Sequence, residues 1–124
     1  MDFLSPEWLV RLDELVSGAT PPPGSRAFVL QNEIDDNGEI TTYHLGISAD
    51  SVRAHAGSAA EPDIVFQMSR ETAAEVATGT TTAHEAFILG SLRLTGDPQH
   101  LIDNAPMTAW LHEVMAPLRE TTTY

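Results

Sequence analysis

The sequence has no cysteine and no lysine, and it contains few basic residues of any kind. Without cysteine, disulfides, thiolate nucleophiles and zinc sites built on thiolates are excluded. All six basic residues are arginine and they are scattered along the chain, whereas 18 acidic residues leave a formal net charge of −12. This charge would repel nucleic acid and anionic bilayers, so we expect no nucleic-acid partner.

Long hydrophobic runs are missing as well. No window approaches the ~18 consecutive apolar residues that a membrane span requires, so no stable membrane insertion is expected. The first residues contain no basic segment ahead of an apolar run, which predicts no signal peptide and a cytoplasmic location. The length of 124 residues predicts a single domain over residues 1–124 with one hydrophobic core.

The most informative stretch runs from Gly79 to Pro98, because the predicted secondary structure changes several times within it. Gly79 suits the left-handed end of one helix, and the threonines after it suit the cap of a second helix over about 83–89. Leu92 and Leu94 alternate with Arg93, which predicts a strand over 91–95. Asp97 and Pro98 then suit the N-cap and first position of a further helix, over about 98–103.

The remaining elements follow from similar local signals. Ser5 and Pro6 begin a helix that should end near Ser17. Strands over 27–34 and 40–47 flank Asn37-Gly38, a dipeptide that favours a hairpin turn. The pattern also predicts a weak edge strand over 50–57, a fourth strand over 64–68, a helix over 70–78, one final amphipathic helix from Pro106 through Leu118, and a frayed tail over 120–124.

The stretch after Gly79 carries a family resemblance. Residues 86–97 read AFILGSLRLTGD: Ala86 and Phe87 are followed by one glycine, two alternating leucines, and then Gly96 and Asp97. This pattern resembles the signature of the sterol carrier protein 2 (SCP-2) family, and the run over 63–69 with Ala77-Thr78-Gly79 is similar to that family's approach to the motif. The resemblance extends over about 26–118. It implies a stand-alone α+β domain whose five-stranded mixed sheet, with helices packed on one face, encloses an apolar cavity for a lipid.

Three other patterns are weaker candidates for a site. Residues 33–44 imitate a calcium loop, but Glu33 and His44 occupy the first and twelfth places, where aspartate and a bidentate glutamate are needed. No two of the five histidines have the helical spacing of a zinc pair. Ser91, near His100, lacks a nucleophile elbow. We therefore expect no catalytic residue, no metal and no cofactor.

The apolar helix and strand faces admit two interpretations, a packed core or a ligand pocket. Composition alone favours a core, since Met and Trp stripes at helical spacing are more often buried in one. The resemblance favours a pocket, because in SCP-2-like folds the last helix covers the lipid tunnel. The residues that it implies as lipid-binding are Phe66, Met68, Val76, Phe87, Leu92, Leu94, Met107, Trp110, Leu111, Val114, Met115 and Leu118.

The function that we expect is non-catalytic binding, with or without transfer, of an apolar ligand such as a fatty acyl chain or a sterol. Affinity should depend on chain length more than on the head group. The alternative is an accessory module that docks on an enzyme, or on a second copy as a homodimer, through its apolar face and presents a hydrophobic substrate. SCP-2-like domains often occur attached to enzymes, which supports the alternative.

Overall fold

Six helices and five strands make up the computed structural model, which describes residues 1–124. The helices are α1 (Pro6–Ser17), α2 (Arg70–Thr78), α3 (Ala83–Ile88), α4 (Gln99–Asp103), α5 (Ala105–Val114) and α6 (Ala116–Thr121). The strands are β1 (Phe28–Asp36), β2 (Glu39–Ile47), β3 (Val52–Ala56), β4 (Ile64–Ser69) and β5 (Leu92–Gly96).

The strands form one five-stranded sheet in the order β3-β2-β1-β4-β5. β1 lies in the centre and pairs in parallel with β4, while the other neighbours are antiparallel. The expected five-stranded mixed sheet is therefore confirmed, and β3 is an edge strand as predicted.

The β1–β2 hairpin also matches its prediction. Asn37 and Gly38 both have positive φ, 54° and 93°, as a two-residue primed turn requires. The Asp35 Oδ1 atom accepts a hydrogen bond from the Gly38 amide at 2.7 Å. The turn fixes the register, so that Asp36 lies opposite Glu39 and Phe28 lies opposite Ile47 at the far end.

The helices cover one face of the sheet, and the large apolar side chains of the strands lie on that face. α1 lies against β3, α2 against β1 and β4, and α3 against β5, while α5 and α6 contact α1. α1 buries Trp8, Leu12 and Val16, which recur every four residues on one face of the helix. The resulting core joins side chains from both layers.

Helix starts follow the capping residues in the sequence. Ser5, Ser69 and Thr82 each accept a hydrogen bond from the amide three residues later. Asp97 Oδ1 accepts one from the Gln99 amide at 2.9 Å, beside the start of α4. α2 ends at Gly79, whose φ of 82° is the predicted left-handed conformation. The predictions for these three caps and for Gly79 are confirmed, whereas α4 begins one residue later than predicted, with Pro98 at the N-cap position.

The C-terminal segment differs from its prediction in two ways. The single helix expected from Pro106 through Leu118 is interrupted, because α5 ends at Val114 and α6 begins at Ala116. Pro117 explains the break, since proline has no amide hydrogen and its ring clashes with the carbonyl four residues earlier.

The expected frayed tail is also wrong. The Phe3 amide donates to the Thr123 carbonyl at 3.0 Å and the Thr123 amide donates to the Met1 carbonyl at 2.7 Å. The Phe3 ring contacts the Tyr124 ring with centroids 5.0 Å apart. The two terminal segments are therefore bonded to each other. Because this pairing is long-range, no local sequence signal predicts it.

Candidate functional site

The sheet residues implied as lipid-binding lie on the helix-covered face. Phe66 and Met68 of β4 and Leu92 of β5 are buried, and Leu94 is partly buried. Strand pairing places Phe66 opposite Leu94 and Met68 opposite Leu92. The four side chains therefore form one contiguous apolar surface, because directly opposed residues of an antiparallel pair lie on the same face.

The helical residues of the same set belong to the core or pack against it, with one exception. Met107 and Leu118 are buried, whereas the others in α2, α5 and the α5–α6 junction are only partly buried and pack against the core: Val76, Trp110, Leu111, Val114 and Met115. Phe87 lies elsewhere. It is 50% exposed, outside the core, because α3 is a two-turn helix that buries Ala86 instead.

Phe87 begins an exposed apolar run at the end of α3. Ile88 and Leu89 follow it and are 67% and 78% exposed. Single exposed apolar residues are common on proteins, but a run of three large ones is less so. This run borders the edge strand β5, against which α3 packs.

The residues implied as lipid-binding include none from the part of the core that α1, β1 and β2 form. Trp8 is 1% exposed, and its ring contacts Phe3 and Tyr43 edge-on, with centroids 5.2 and 5.7 Å away. Asn32 lies on the core face of β1 between Leu30 and Ile34 and is 7% exposed. A polar residue within the alternation of Phe28, Leu30 and Ile34 was a sequence signal that could have identified this position.

The polar groups of this region have few partners. Trp8 Nε1 is buried and has no hydrogen-bond partner. The Asn32 side chain also makes no hydrogen bond within the protein, but its polar atoms are not fully buried, whereas the buried Gln31 and Asn104 are bonded. Burial raises the pKa of the Tyr43 hydroxyl well above its usual range. Buried polar atoms usually have partners in proteins, so Trp8 Nε1 is an exception within the core.

The other candidate patterns are accounted for locally. The Asp35 carboxylate of the calcium-like loop is bonded within the hairpin turn. His44 and His55 stack on the opposite face of the sheet with ring centroids 5.1 Å apart, and His44 Nδ1 lies 2.8 Å from the Gly57 carbonyl. No three His, Asp or Glu side chains lie close enough to hold a metal ion. None of the helices is long and apolar enough to cross a membrane.

A surface depression of about 550 Å³ opens beside the hairpin and the start of α2. Its lining is mostly polar, so it does not suit hydrocarbon. The lining residues are Asp35, Asp36, Asn37, Ser69, Arg70, Glu71, Ala74 and Tyr124. The expected apolar cavity between the sheet and the helices stays a prediction.

The mixed sheet with helices over one face and a continuous apolar core between the layers defines an α+β domain. The sequence profile of the SCP-2 sterol transfer family matches residues 24–107. The chain belongs to that family, as its motif predicts.

Solved structures show the same fold. A crystal structure of sterol carrier protein 2 has a TM-score of 0.74 at 18% identity, covering 96% of this chain and 98% of the other. The solution structure of a conserved hypothetical protein from Thermus thermophilus has a TM-score of 0.72 at 19% identity, covering 100% and 92%. The solution structure of palmitated SCP2L2 from Aedes aegypti has a TM-score of 0.65 at 22% identity, covering 87% and 95%. No curated protein matches the sequence.

Proposed function

We propose that the protein binds an apolar ligand, a fatty acyl chain or a sterol, without covalent chemistry, and transfers it. The observation that carries this proposal is the incomplete burial of the α5 side chains. Trp110, Leu111 and Val114 pack against the core yet remain partly exposed, so this helix offers apolar surface beyond what the core covers. Family membership and the palmitated neighbour of the same fold support a lipid as the ligand.

The driving force would be transfer of hydrocarbon from water into the core. Each buried methylene contributes roughly 0.8 kcal/mol, so ~10 methylenes give a gross ~8 kcal/mol. Ordering of the ligand and displacement of packed side chains reduce this value. We therefore expect micromolar affinity or weaker for a simple alkyl chain, with Kd near 1 μM corresponding to about −8 kcal/mol.

Ligand entry would require the helices to separate from the sheet, because core residues of both layers pack together. The C-terminal segment suits such a movement. α4, α5 and α6 are short. Asn104 separates α4 from α5, and Met115 separates α5 from α6. Asn104 is fixed, since its side chain accepts from the Arg26 amide at 2.8 Å and donates to the His100 carbonyl at 2.9 Å. We propose that α5 and α6 move relative to this anchor.

The test is a fluorescence titration of delipidated protein with N-phenyl-1-naphthylamine, followed by displacement with palmitate and with cholesterol. We expect saturable binding of the probe and displacement by at least one lipid. A matched control is Ile40→Ala, which truncates an exposed apolar side chain on the hairpin, away from the core. Absence of any saturable binding would refute the proposal.

Catalytic inactivity, the single domain and the cytoplasmic location stay predictions.

The exposed run Phe87–Leu89 favours a second candidate, an accessory module that docks through this surface on an enzyme or on a second copy. Analytical ultracentrifugation of the parent protein and of Ile88→Ser/Leu89→Ser tests self-association. A dimer in the parent that the double variant abolishes would support docking between copies. A monomeric parent across the micromolar range would exclude the homodimer.

A further inference from the structure

Three uncharged polar side chains lie together within the otherwise apolar core face. Asn32 lies on the central strand β1, and strand pairing places Tyr43 of β2 directly opposite it. Directly opposed residues have Cβ atoms roughly 4.5–5.5 Å apart, so the two side chains are neighbours. The Trp8 ring of α1 contacts the Tyr43 ring with centroids 5.7 Å apart. We call Trp8, Asn32 and Tyr43 the polar cluster.

The polar cluster has unused hydrogen-bonding capacity. The Trp8 Nε1–H group is a donor only, it is buried, and it has no partner. The Asn32 side chain offers both a donor and an acceptor, and the Tyr43 hydroxyl offers the same. Leaving the Trp8 donor unpaired in the core is unfavourable, which indicates that a ligand atom or a water molecule bonds to it in solution.

The surroundings of the polar cluster contain no buried charge. The buried residues that are not apolar are Gln31, Asn32 and Asn104, none of which ionises. Arg70 lies beside Phe3, whose ring contacts Trp8. Its guanidinium lies over the Phe3 ring, 5.5 Å from the centroid, with Nη1 3.9 Å from Asp36 Oδ2 outside the core.

This chemistry distinguishes between classes of polar group. An ionised carboxylate or phosphate buried here would have no counter-ion, and such burial is strongly unfavourable. An uncharged oxygen satisfies the cluster without that penalty. A carbonyl or hydroxyl oxygen can accept from Trp8 Nε1–H and the Asn32 amide, and a hydroxyl can also donate to the Asn32 carbonyl oxygen.

We propose that the polar cluster binds the uncharged oxygen of an otherwise apolar ligand, an alcohol, ketone or ester, in preference to an ionised fatty acid. The proposal rests on the proposed function, because it assigns the polar end of the ligand that the core would accept. It also reverses the expectation that chain length matters more than the head group.

The experiment compares ligands with the same chain and different polar ends. Dodecan-1-ol and dodecanoate, at pH 8 where the acid is ionised, are each used to displace N-phenyl-1-naphthylamine. We expect dodecan-1-ol to compete about tenfold better, which corresponds to ~1.4 kcal/mol. Asn32→Leu, which keeps the side-chain size, should remove most of this preference and leave the affinity for the fluorescent probe within about twofold.

A second readout observes the tryptophan directly. The protein has two tryptophans, so the indole cross-peak that remains in a ¹H–¹⁵N correlation spectrum of Trp110→Phe is that of Trp8, and the titration is then followed at this cross-peak in the parent protein. Dodecan-1-ol should shift this indole proton downfield as the new hydrogen bond forms. If Asn32→Leu does not fold, Tyr43→Phe replaces it, because that change removes the hydroxyl and keeps the ring against Trp8.

The outcomes separate the two proposals. Equal competition by the alcohol and the carboxylate, or an indole signal that dodecan-1-ol does not move, overturns the assignment of the polar cluster and leaves apolar binding intact. In that case water molecules satisfy the cluster. If neither the probe nor any lipid binds, the proposed function falls and the assignment falls with it.

Discussion

Asp13 of α1 and Arg53 of the edge strand β3 form a bidentate ion pair, with Nε–Oδ1 and Nη2–Oδ2 distances of 2.9 Å each. The same Oδ1 atom accepts a hydrogen bond from the Ala54 amide at 2.9 Å. The hydrogen bond from Arg53 lowers the pKa of Asp13 below its usual value, although partial burial acts in the opposite direction. One carboxylate thus ties the first helix to the sheet and occupies an edge-strand amide.

We expect Asp13→Ala to lower the melting temperature by about 2–6 °C, since it leaves both the guanidinium and the Ala54 amide without this partner. Differential scanning calorimetry measures the change. Glu14→Ala is the control, because that residue makes only an exposed pair with Arg11 one turn along the helix. Equal effects of the two variants would contradict the role of Asp13.

The pH dependence of this pair has a definite sign. The folded-state pKa of Asp13 is lowered, so its stabilisation is complete above the unfolded-state value of about 4 and is lost as pH falls through the folded-state value. The stability difference between the parent and Asp13→Asn should therefore be constant near neutral pH and shrink below about pH 4. Urea unfolding at a series of pH values checks this.

The pH dependence contributed by Tyr43 should have the opposite sign, because stability is lost as pH rises in alkaline solution. Burial raises its pKa, so the stability linked to this residue is present below the unfolded-state value of about 10 and is lost as pH rises above it. Tyr43→Phe should therefore unfold at a higher pH than the parent. Absorbance at 295 nm follows tyrosine ionisation, and circular dichroism follows unfolding.

Tyr124→Phe provides the comparison, because Tyr124 is the only other tyrosine. Burial also raises the pKa of Tyr124, which is half-exposed. If the ionisation of Tyr43 precedes unfolding and matches that of a free tyrosine, its burial in the core is wrong.

Gly96, in the family motif, is expected to tolerate no side chain. Its φ is 107°, and a Cβ atom there would clash with the Asp63 carbonyl oxygen. Gly96→Ala should reduce the free energy of unfolding by more than about 3 kcal/mol, because the clash adds to the unfavourable backbone conformation. Chemical denaturation measures the loss.

Gly57→Ala separates the two contributions to that loss. Gly57 also has positive φ, 86°, but no atom lies within 4 Å of the added Cβ. We expect it to lose only about 1–2 kcal/mol, the contribution of the backbone conformation. Similar losses in both variants would exclude the steric explanation.

Trp110→Ala tests whether α5 forms a wall of the ligand site. If α5 belonged only to the packed core, this change should lower the free energy of unfolding by ~3–5 kcal/mol. Trp110 is partly exposed, so we expect a loss below about 2 kcal/mol together with at least about fivefold weaker binding of N-phenyl-1-naphthylamine. Met115→Ala should behave similarly. Lost stability with unchanged binding per folded molecule would reject the ligand-wall role.

Much of the fold could be predicted because its signals are local. Asn37-Gly38 determines the hairpin, Ser5 and Ser69 mark helix starts, and Gly79 marks a helix end. The break at Met115 has no signal in the apolar spacing, which continues through it, and only Pro117 marks it. The exposure of Phe87 could not be predicted, since a helix of six residues is too short for periodicity to identify its buried face.

The alternation in β1 marks Asn32, but the polar cluster as a whole could not be predicted from local patterns. Its existence depends on the register that places Asn32 opposite Tyr43 and on the packing of α1 across the sheet. Neither is encoded within one segment. The same holds for the pairing of Phe3 with Thr123, which joins the two ends of the chain.

The division of the C-terminal region into α4, α5 and α6 has a consequence for amide hydrogen exchange. Helices of 5, 10 and 6 residues are too short to be stable alone, so each depends on its contacts with the core. Their amides should exchange through local opening, well before those of the central strands β1 and β4. A bound ligand would slow exchange in α5 and α6 selectively, and the slowed amides would map the part of the protein that the ligand holds closed.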